Sequence, residues 1–349
     1  MTEIPFYVLK PLRSSHIHPI LDRDRVISNT RKGIETQIYL DLNILSKIHE
    51  SISKSNPADP SVVAIVQFLH SFSGGVYLAP GIALEEVAPH FALPIYRSFE
   101  KFCSMYSLNF SDAYNAIPLM PNKRDILRFF DLSSGQQNIL ATSYASLLYV
   151  HYIHTFFPRF SNQEKFKLYG DHIASSINRF DALGYAIAML YFTDASNAIA
   201  KIKRNFIKQP ENKQKVLKNS LNAAWDISFY RCIAYSEVLS KVQQDFSLRP
   251  MECWCLTFDA GIAALSELIF YDEESTLKGM DSASIALDSE ILKYNDDLAH
   301  NFELFNYRNH VRRALHQVKD LLGEEHTYGS LATIKKFINK TEESFYKLQ

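Results

Sequence analysis

Gln37-Ile38-Tyr39-Leu40-Asp41-Leu42-Asn43 is the stretch whose reading decides the fold. Gln37 to Leu40 forms a short apolar strand that stops at an acid. Asn43 and the following Ile44–Ile52 turn the chain into a helix, with Asp41 or Asn43 as its cap. Downstream, a polar break with Pro57 and Pro60 leads into an amphipathic helix over 62–72, which Gly74 and Gly75 end. A second strand follows at 76–79, and Pro80-Gly81 opens a helix that carries Glu85 and Glu86. The order strand, helix, helix, strand, helix fits a parallel sheet with crossover connections. A third strand at 252–258 ends at Asp259, and Gly261 opens another helix through Ile262-Ala263-Ala264-Leu265-Ser266-Glu267-Leu268-Ile269-Phe270-Tyr271. Residues 1–35, with Pro5, Pro11 and Pro19, read as a loose lead-in.

Between the second and third strands the pattern is helical. Runs at 138–157 and 179–202 space their apolar residues at helical intervals and carry no strong strand signal. The C-terminal stretch is helical too, most clearly at 302–322. The fold class is therefore α/β: a parallel sheet flanked by helices, with a large all-helical insertion. The expected division is a discontinuous core of 36–90 and 217–275, an insertion of 91–216 and a helical C-terminal region of 276–349.

Composition narrows the function classes. Of 349 residues 47 % are hydrophobic and 21 % charged, enough for a full core and too little charge for wholesale disorder. A net charge of −1 argues against global attraction to nucleic acid but leaves room for a local basic groove. Cys103, Cys232, Cys253 and Cys255 lack zinc-ligand spacing and read as small buried hydrophobes in a reducing cytosol. The opening MTEIPFYVLKPLRSS lacks an apolar core of signal-peptide length, and no apolar run approaches the ~20 residues of a membrane helix. The expectation is a cytoplasmic protein without a membrane partner.

Four acids stand at the ends of apolar runs: Asp41, Glu86, Asp226 and Asp259. Asp41 and Asp259 lie at the carboxyl ends of strands, the edge where ligands bind in open α/β sheets. Glu86 and Asp226 are expected on neighbouring helices. Carboxylates grouped with few other ionisable groups suit hard cations such as Mg²⁺ or Mn²⁺. Two of them about 4 Å apart repel by ~4 kcal/mol at an effective dielectric of 20, and a divalent cation reverses that sign. Each acid also has a plainer use. Asp41 would cap a helix, Asp259 would serve a turn, Glu86 would face solvent and Asp226 would pair with Arg231.

Asp41-Leu42-Asn43 at the end of strand one resembles the opening motif of PIN-domain nucleases. Pro80-Gly81-Ile82-Ala83-Leu84-Glu85-Glu86-Val87 resembles their second motif, Asp226 matches a third acid on a later helix, and Thr257-Phe258-Asp259 resembles their closing Thr/Ser-x-Asp. The resemblance covers roughly 36–90 and 217–270. It departs from a compact PIN domain in the long interval between the second and third acids. Of the adjacent pair, Glu86 aligns better than Glu85. The resemblance implies a Mg²⁺- or Mn²⁺-dependent nuclease, with RNA favoured over DNA and toxin or phage-defence endoribonucleases among its relatives. Asp41, Glu86, Asp226 and Asp259 would be catalytic and metal-holding, with Asn43, Thr257 and Glu85 supporting them. A protein regulator such as an antitoxin, and an oligomer, are compatible with it. The same family includes structure-specific DNA nucleases and inactive scaffolds, so a non-catalytic interaction protein is the alternative.

Basic residues supply the expected substrate contacts. Lys203, Arg204 and Lys208 lie in one group before Asp226, and Arg312 and Arg313 lie on a C-terminal helical stripe with Arg308, His310 and His316. A solvated helix face is the plainer reading of that stripe, and phosphate contact the functional one. His16 with His18, and His151 with His154, have spacings that metal sites use but no acidic or cysteine partner in sequence. Walker loops, dinucleotide fingerprints and nucleophile elbows are absent.

Overall fold

The computed structural model describes residues 6–15, 17–54, 59–111, 128–177, 181–193, 197–205, 213–242, 249–278, 285–287, 300 and 330–347. The chain divides into two compact units, residues 1–127 with 229–286, and residues 128–228 with 287–349.

The strands, in chain order, are β1 (Tyr7–Leu9), β2 (Leu12–Arg13), β3 (Glu35–Leu40), β4 (Val76–Ala79), β5 (Asn109–Phe110), β6 (Met251–Thr257), β7 (Ile269–Asp272) and β8 (Ile285–Leu287). The central sheet of the first unit has the order β1-β6-β3-β4-β5. β6, β3, β4 and β5 run parallel, and β1 pairs antiparallel with β6 at one edge. Leu40 lies opposite Leu256, and Tyr39 lies opposite both Cys255 and Ala79, so β3, β4 and β6 end at one edge. β3 and β6 are buried along nearly their whole length, which is why they read as continuous apolar runs rather than as alternating ones.

Helices α1 (Arg23–Arg31), α2 (Leu42–Ser53), α3 (Pro60–His70), α4 (Gly81–Leu84) and α5 (Pro89–Tyr106) belong to this unit. α2 buries Ile44, Leu45 and Ile48, and packs against α3, α5 and β6. α1 packs beside β3. The break after α3 is steric: Gly74 has φ +80°, and a Cβ on Gly75 would meet the Val26 side chain at 2.6 Å.

Three expectations are corrected. The lead-in of 1–35 contains β1, β2 and α1. β1 and β2 are too short to show a period, and their partners β6 and β7 are more than two hundred residues away. The helix after Asp259 stops early: α11 (Ala260–Leu268) gives way to β7 at Ile269, which joins a second sheet of order β2-β7-β8. The segment expected to be an all-helical insertion begins with α5, which packs on α2, and with β5, which extends the central sheet.

The second unit is helical where described. α6 (Ser134–Phe156), α7 (Asn162–His172), α8 (Ala182–Tyr191) and α9 (Asn197–Asn205) precede α10 (Lys213–Val242), whose residues up to 228 belong to this unit. After α11, α12 (Glu273–Lys278) returns to the first unit, and α13 (Leu331–Tyr346) packs on α6 in the second. Capping boxes start α6 at Ser133 with Gln136, and α7 at Ser161 with Glu164. Tyr144, Tyr169 and Tyr185 are buried in this core. Among the described residues no helix is long and apolar enough to cross a membrane.

Candidate active site

The backbone amide of Asp41 donates to the Leu256 carbonyl at 3.0 Å, which carries the β3–β6 ladder one residue past the strand end. That bond sets Asp41 beside Thr257. The Thr257 hydroxyl donates to Asp41 Oδ2 at 2.5 Å, and the Leu42 amide donates to Asp41 Oδ1 at 2.6 Å. Thr257 Oγ1 in turn accepts from the Asp259 amide at 2.8 Å and from Asn43 Nδ2 at 3.4 Å. Asn43 Oδ1 accepts from the Phe258 amide at 3.1 Å. Asp41, Asn43, Thr257 and Asp259 are thus tied into one network across two parallel strand ends.

Both aspartates also begin helices. Asp41 is the N-cap of α2, and Asp259 caps α11 through its Oδ1, which accepts from Gly261 and Ile262. The plainer reading of Asp41 as a cap therefore holds, and Asp259, read as a turn residue, proves to be a cap as well; in Asp259 this role occupies only part of the group. The capping oxygen of Asp259 is Oδ1, and its Oδ2 accepts no hydrogen bond among the described residues. Asp41, 6 % exposed, has its pKa pushed up to about 6. Burial is the main cause and the Asp259 charge adds to it, against the hydrogen bonds from Thr257, Leu42 and Asn43.

Glu86 does not sit on a helix, as the sequence suggested. α4 ends at Leu84, and Glu85 and Glu86 occupy the turn that follows. Pro89 explains this: it cannot donate to the Glu85 carbonyl, and it holds Ala88 extended at ψ 141°. The turn exposes Glu85 and leaves Glu86 half-buried. Burial, then the charges of Asp41 and Asp259, push Glu86 up to about 8. Among the described residues its carboxyl takes part in no hydrogen bond and no ion pair. Burial, and after it the charges of neighbouring carboxylates, thus raises two of the three acids.

The other expected residues lie elsewhere. Asp226 is half-buried on α10 and belongs to the second unit, whereas Asp41, Glu86 and Asp259 belong to the first. Lys203 and Arg204 lie on α9, also in the second unit; Lys203 is half-buried and Arg204 exposed. Lys208, Arg308, His310, Arg312, Arg313 and His316 fall outside the described residues, as does His16. The four cysteines are free thiols. Among the described residues, no three His, Cys, Asp or Glu side chains are gathered closely enough to hold a metal ion.

Asp41 divides its oxygens between the α2 cap and Thr257, and Asp259 gives Oδ1 alone to the α11 cap. The signal for this in sequence is the N-cap pattern, an Asp followed within three residues by helical spacing. The chain matches no family model, no curated protein and no solved structure.

Proposed function

We propose that the protein is a metal-dependent nuclease of PIN-like architecture that hydrolyses RNA phosphodiesters at the carboxyl edge of its central sheet. The observation that carries this reading is the group Asp41, Glu86 and Asp259. They stand at one strand edge, and Glu86 and Asp259 Oδ2 have no partner among the described residues. The edge is also a topological switch point, because β3 is flanked by β4 on one side and β6 on the other.

The donor set fits Mg²⁺ or Mn²⁺, which take hard carboxylate oxygens. Asp41, Asp259 and Glu86 would hold the ion. When bound, the ion supplies a water of lowered pKa and a clamp on phosphate oxygens. The protein's own part is placement. Thr257 and the Leu42 amide fix both oxygens of Asp41, so its orientation does not depend on substrate. Asn43 locks the Thr257–Phe258 turn and hence the direction from which Asp259 enters. Glu86 lies on the turn that follows β4 and α4.

The test is incubation of the purified chain with labelled single-stranded RNA and DNA, in Mn²⁺ and in EDTA. RNA cleavage in Mn²⁺ alone is expected. Cleavage confined to DNA would move the substrate class. Intact RNA and DNA, together with no Mn²⁺ binding by calorimetry, would leave a non-catalytic scaffold and end the nuclease reading.

A further inference from the structure

The start of α5 carries two exposed rings beside the acidic edge. His90 is exposed, and Phe91 is 45 % exposed although Ala92 next to it is fully buried. The two ring centroids lie 4.1 Å apart, at an interplanar angle of 42°. A single exposed ring needs no explanation of its own. The position of this pair is what gives it a use.

The pair is fixed against the edge by the fold of the first unit. From Glu86 to Phe91 the chain reaches at most roughly 17 Å. α5 packs on α2, the helix that Asp41 caps, and on α4, which leads into the Glu86 turn. His90 and Phe91 follow Pro89, the first residue of α5. Side chains on a helix lean towards its amino end, so both rings lean towards the Glu86 turn rather than along the helix away from it.

The chemistry of the pair is narrow. A phenyl ring offers an aromatic face and no hydrogen-bonding group. Nucleobases stack on such a face whatever their sequence, and they do so when unpaired and splayed out of a duplex. We propose that His90 and Phe91 form a stacking platform for an unpaired nucleobase near the scissile phosphate, so that the substrate class is single-stranded rather than duplex RNA. The inference rests on the nuclease reading. Phe91 supplies the face, and His90 stands against its ring.

The test uses the full chain as wild type, Phe91→Ala and Phe91→Trp, with a labelled oligouridylate free or paired to its complement. Cleavage kinetics are followed in Mn²⁺ and binding in EDTA, by anisotropy. Phe91→Ala should raise KM for the free strand about tenfold with little change in kcat, and should weaken binding by a similar factor, as loss of one stacked base does. Phe91→Trp keeps an aromatic face and should restore both. Wild type should cleave the duplex about tenfold less efficiently than the free strand, and Phe91→Ala should narrow that gap. Because Phe91 is exposed, both variants should keep the wild-type circular dichroism. If wild type cleaves RNA while Phe91→Ala keeps its KM and binding, the platform is overturned, the nuclease reading stands and the rings fall to a protein partner. If wild type cleaves nothing, the nuclease reading ends and binding alone decides the platform: weakening by Phe91→Ala supports it, and equal or absent binding overturns it.

Discussion

The two ends of the central sheet treat their buried acids in opposite ways. At the amino end of β6, Glu252 accepts from Arg25 Nη2 at 2.6 Å, from Asn29 at 2.6 Å and from the Trp254 indole at 3.2 Å. Burial alone would raise its pKa, yet these partners and the Lys10 charge bring it down to about 2. Glu237 nearby is bonded to Lys10, to Lys241 at 2.8 Å and to the Cys253 amide at 2.9 Å. At the carboxyl end no cation joins the network among the described residues, and burial, with the neighbouring carboxylate charges, raises Asp41 and Glu86 to about 6 and 8. The same chain compensates a buried carboxylate at one end of the sheet and, among the described residues, leaves Glu86 without a partner at the other. A perturbed group in such a position is a functional candidate with a physical reason.

The sharpest way to break this comparison is to remove a compensated acid. Glu237→Gln leaves Lys10 buried without its counter-charge and should cost about 3–5 kcal/mol in urea unfolding at pH 7. A loss under about 1 kcal/mol would mean that the amino end is less tightly compensated than its geometry indicates.

At the opposite end, Asp41→Asn should reduce Mn²⁺-dependent RNA cleavage by more than about a hundredfold, beyond what loss of an outer-shell partner causes. Asparagine still caps α2, so the fold should persist. The melting shift that Mn²⁺ gives the wild type should shrink in the variant, because an ion bound only by the folded state stabilises by mass action. Equal Mn²⁺ shifts and undiminished cleavage would take Asp41 out of the site.

The pH dependence of stability should differ in sign between the ends. Glu86 has a folded pKa near 8, above its ordinary 4.5, so the folded chain holds the proton more tightly than the unfolded one. Its contribution to stability therefore falls as pH rises from about 4.5 to about 8. Glu252 is the reverse: its contribution is present above 4.5 and is lost as pH falls towards about 2. In metal-free melts Glu86→Gln should flatten the neutral-side decline and leave the acid limb unchanged. An unaltered decline would show that Glu86 does not carry the repulsion.

The smallest effect belongs to Thr257→Val. It removes the hydroxyl donor to Asp41 and the acceptor for Asn43 and the Asp259 amide. A stability loss of about 1–2 kcal/mol and an activity loss of about tenfold should follow. Thr257→Ser keeps the hydroxyl and should restore activity. Failure of that rescue would reduce Thr257 to a packing residue.

Much of the site was legible because its signals are local. QIYL and CWCLT show as strands from their apolar runs, and an acid just past each places both side chains on one edge once the strands are parallel. Val76–Ala79 stands as read, because Gly75 and Pro80 bracket it. Glu86 reads as helical from sequence because the four residues of α4 begin helically, whereas Pro89 keeps the helix from running through it.

What the sequence alone determined, then, is the order of the three strands β3, β4 and β6 and the helices after them, the acids at the strand ends and the residues able to cap α2. Those depend on neighbours within a few positions. Tertiary structure decided that β1 closes the edge of the sheet against β6, that β5 extends it, and that α11 yields to β7. It also decided that Glu252 and Glu237 meet Arg25 and Lys10 while Asp41 meets the charge of Asp259, and Glu86 the charges of both. Each of those outcomes joins residues far apart in the chain. The composition around an acid does not reveal whether a distant strand will bring it a cation or another carboxylate.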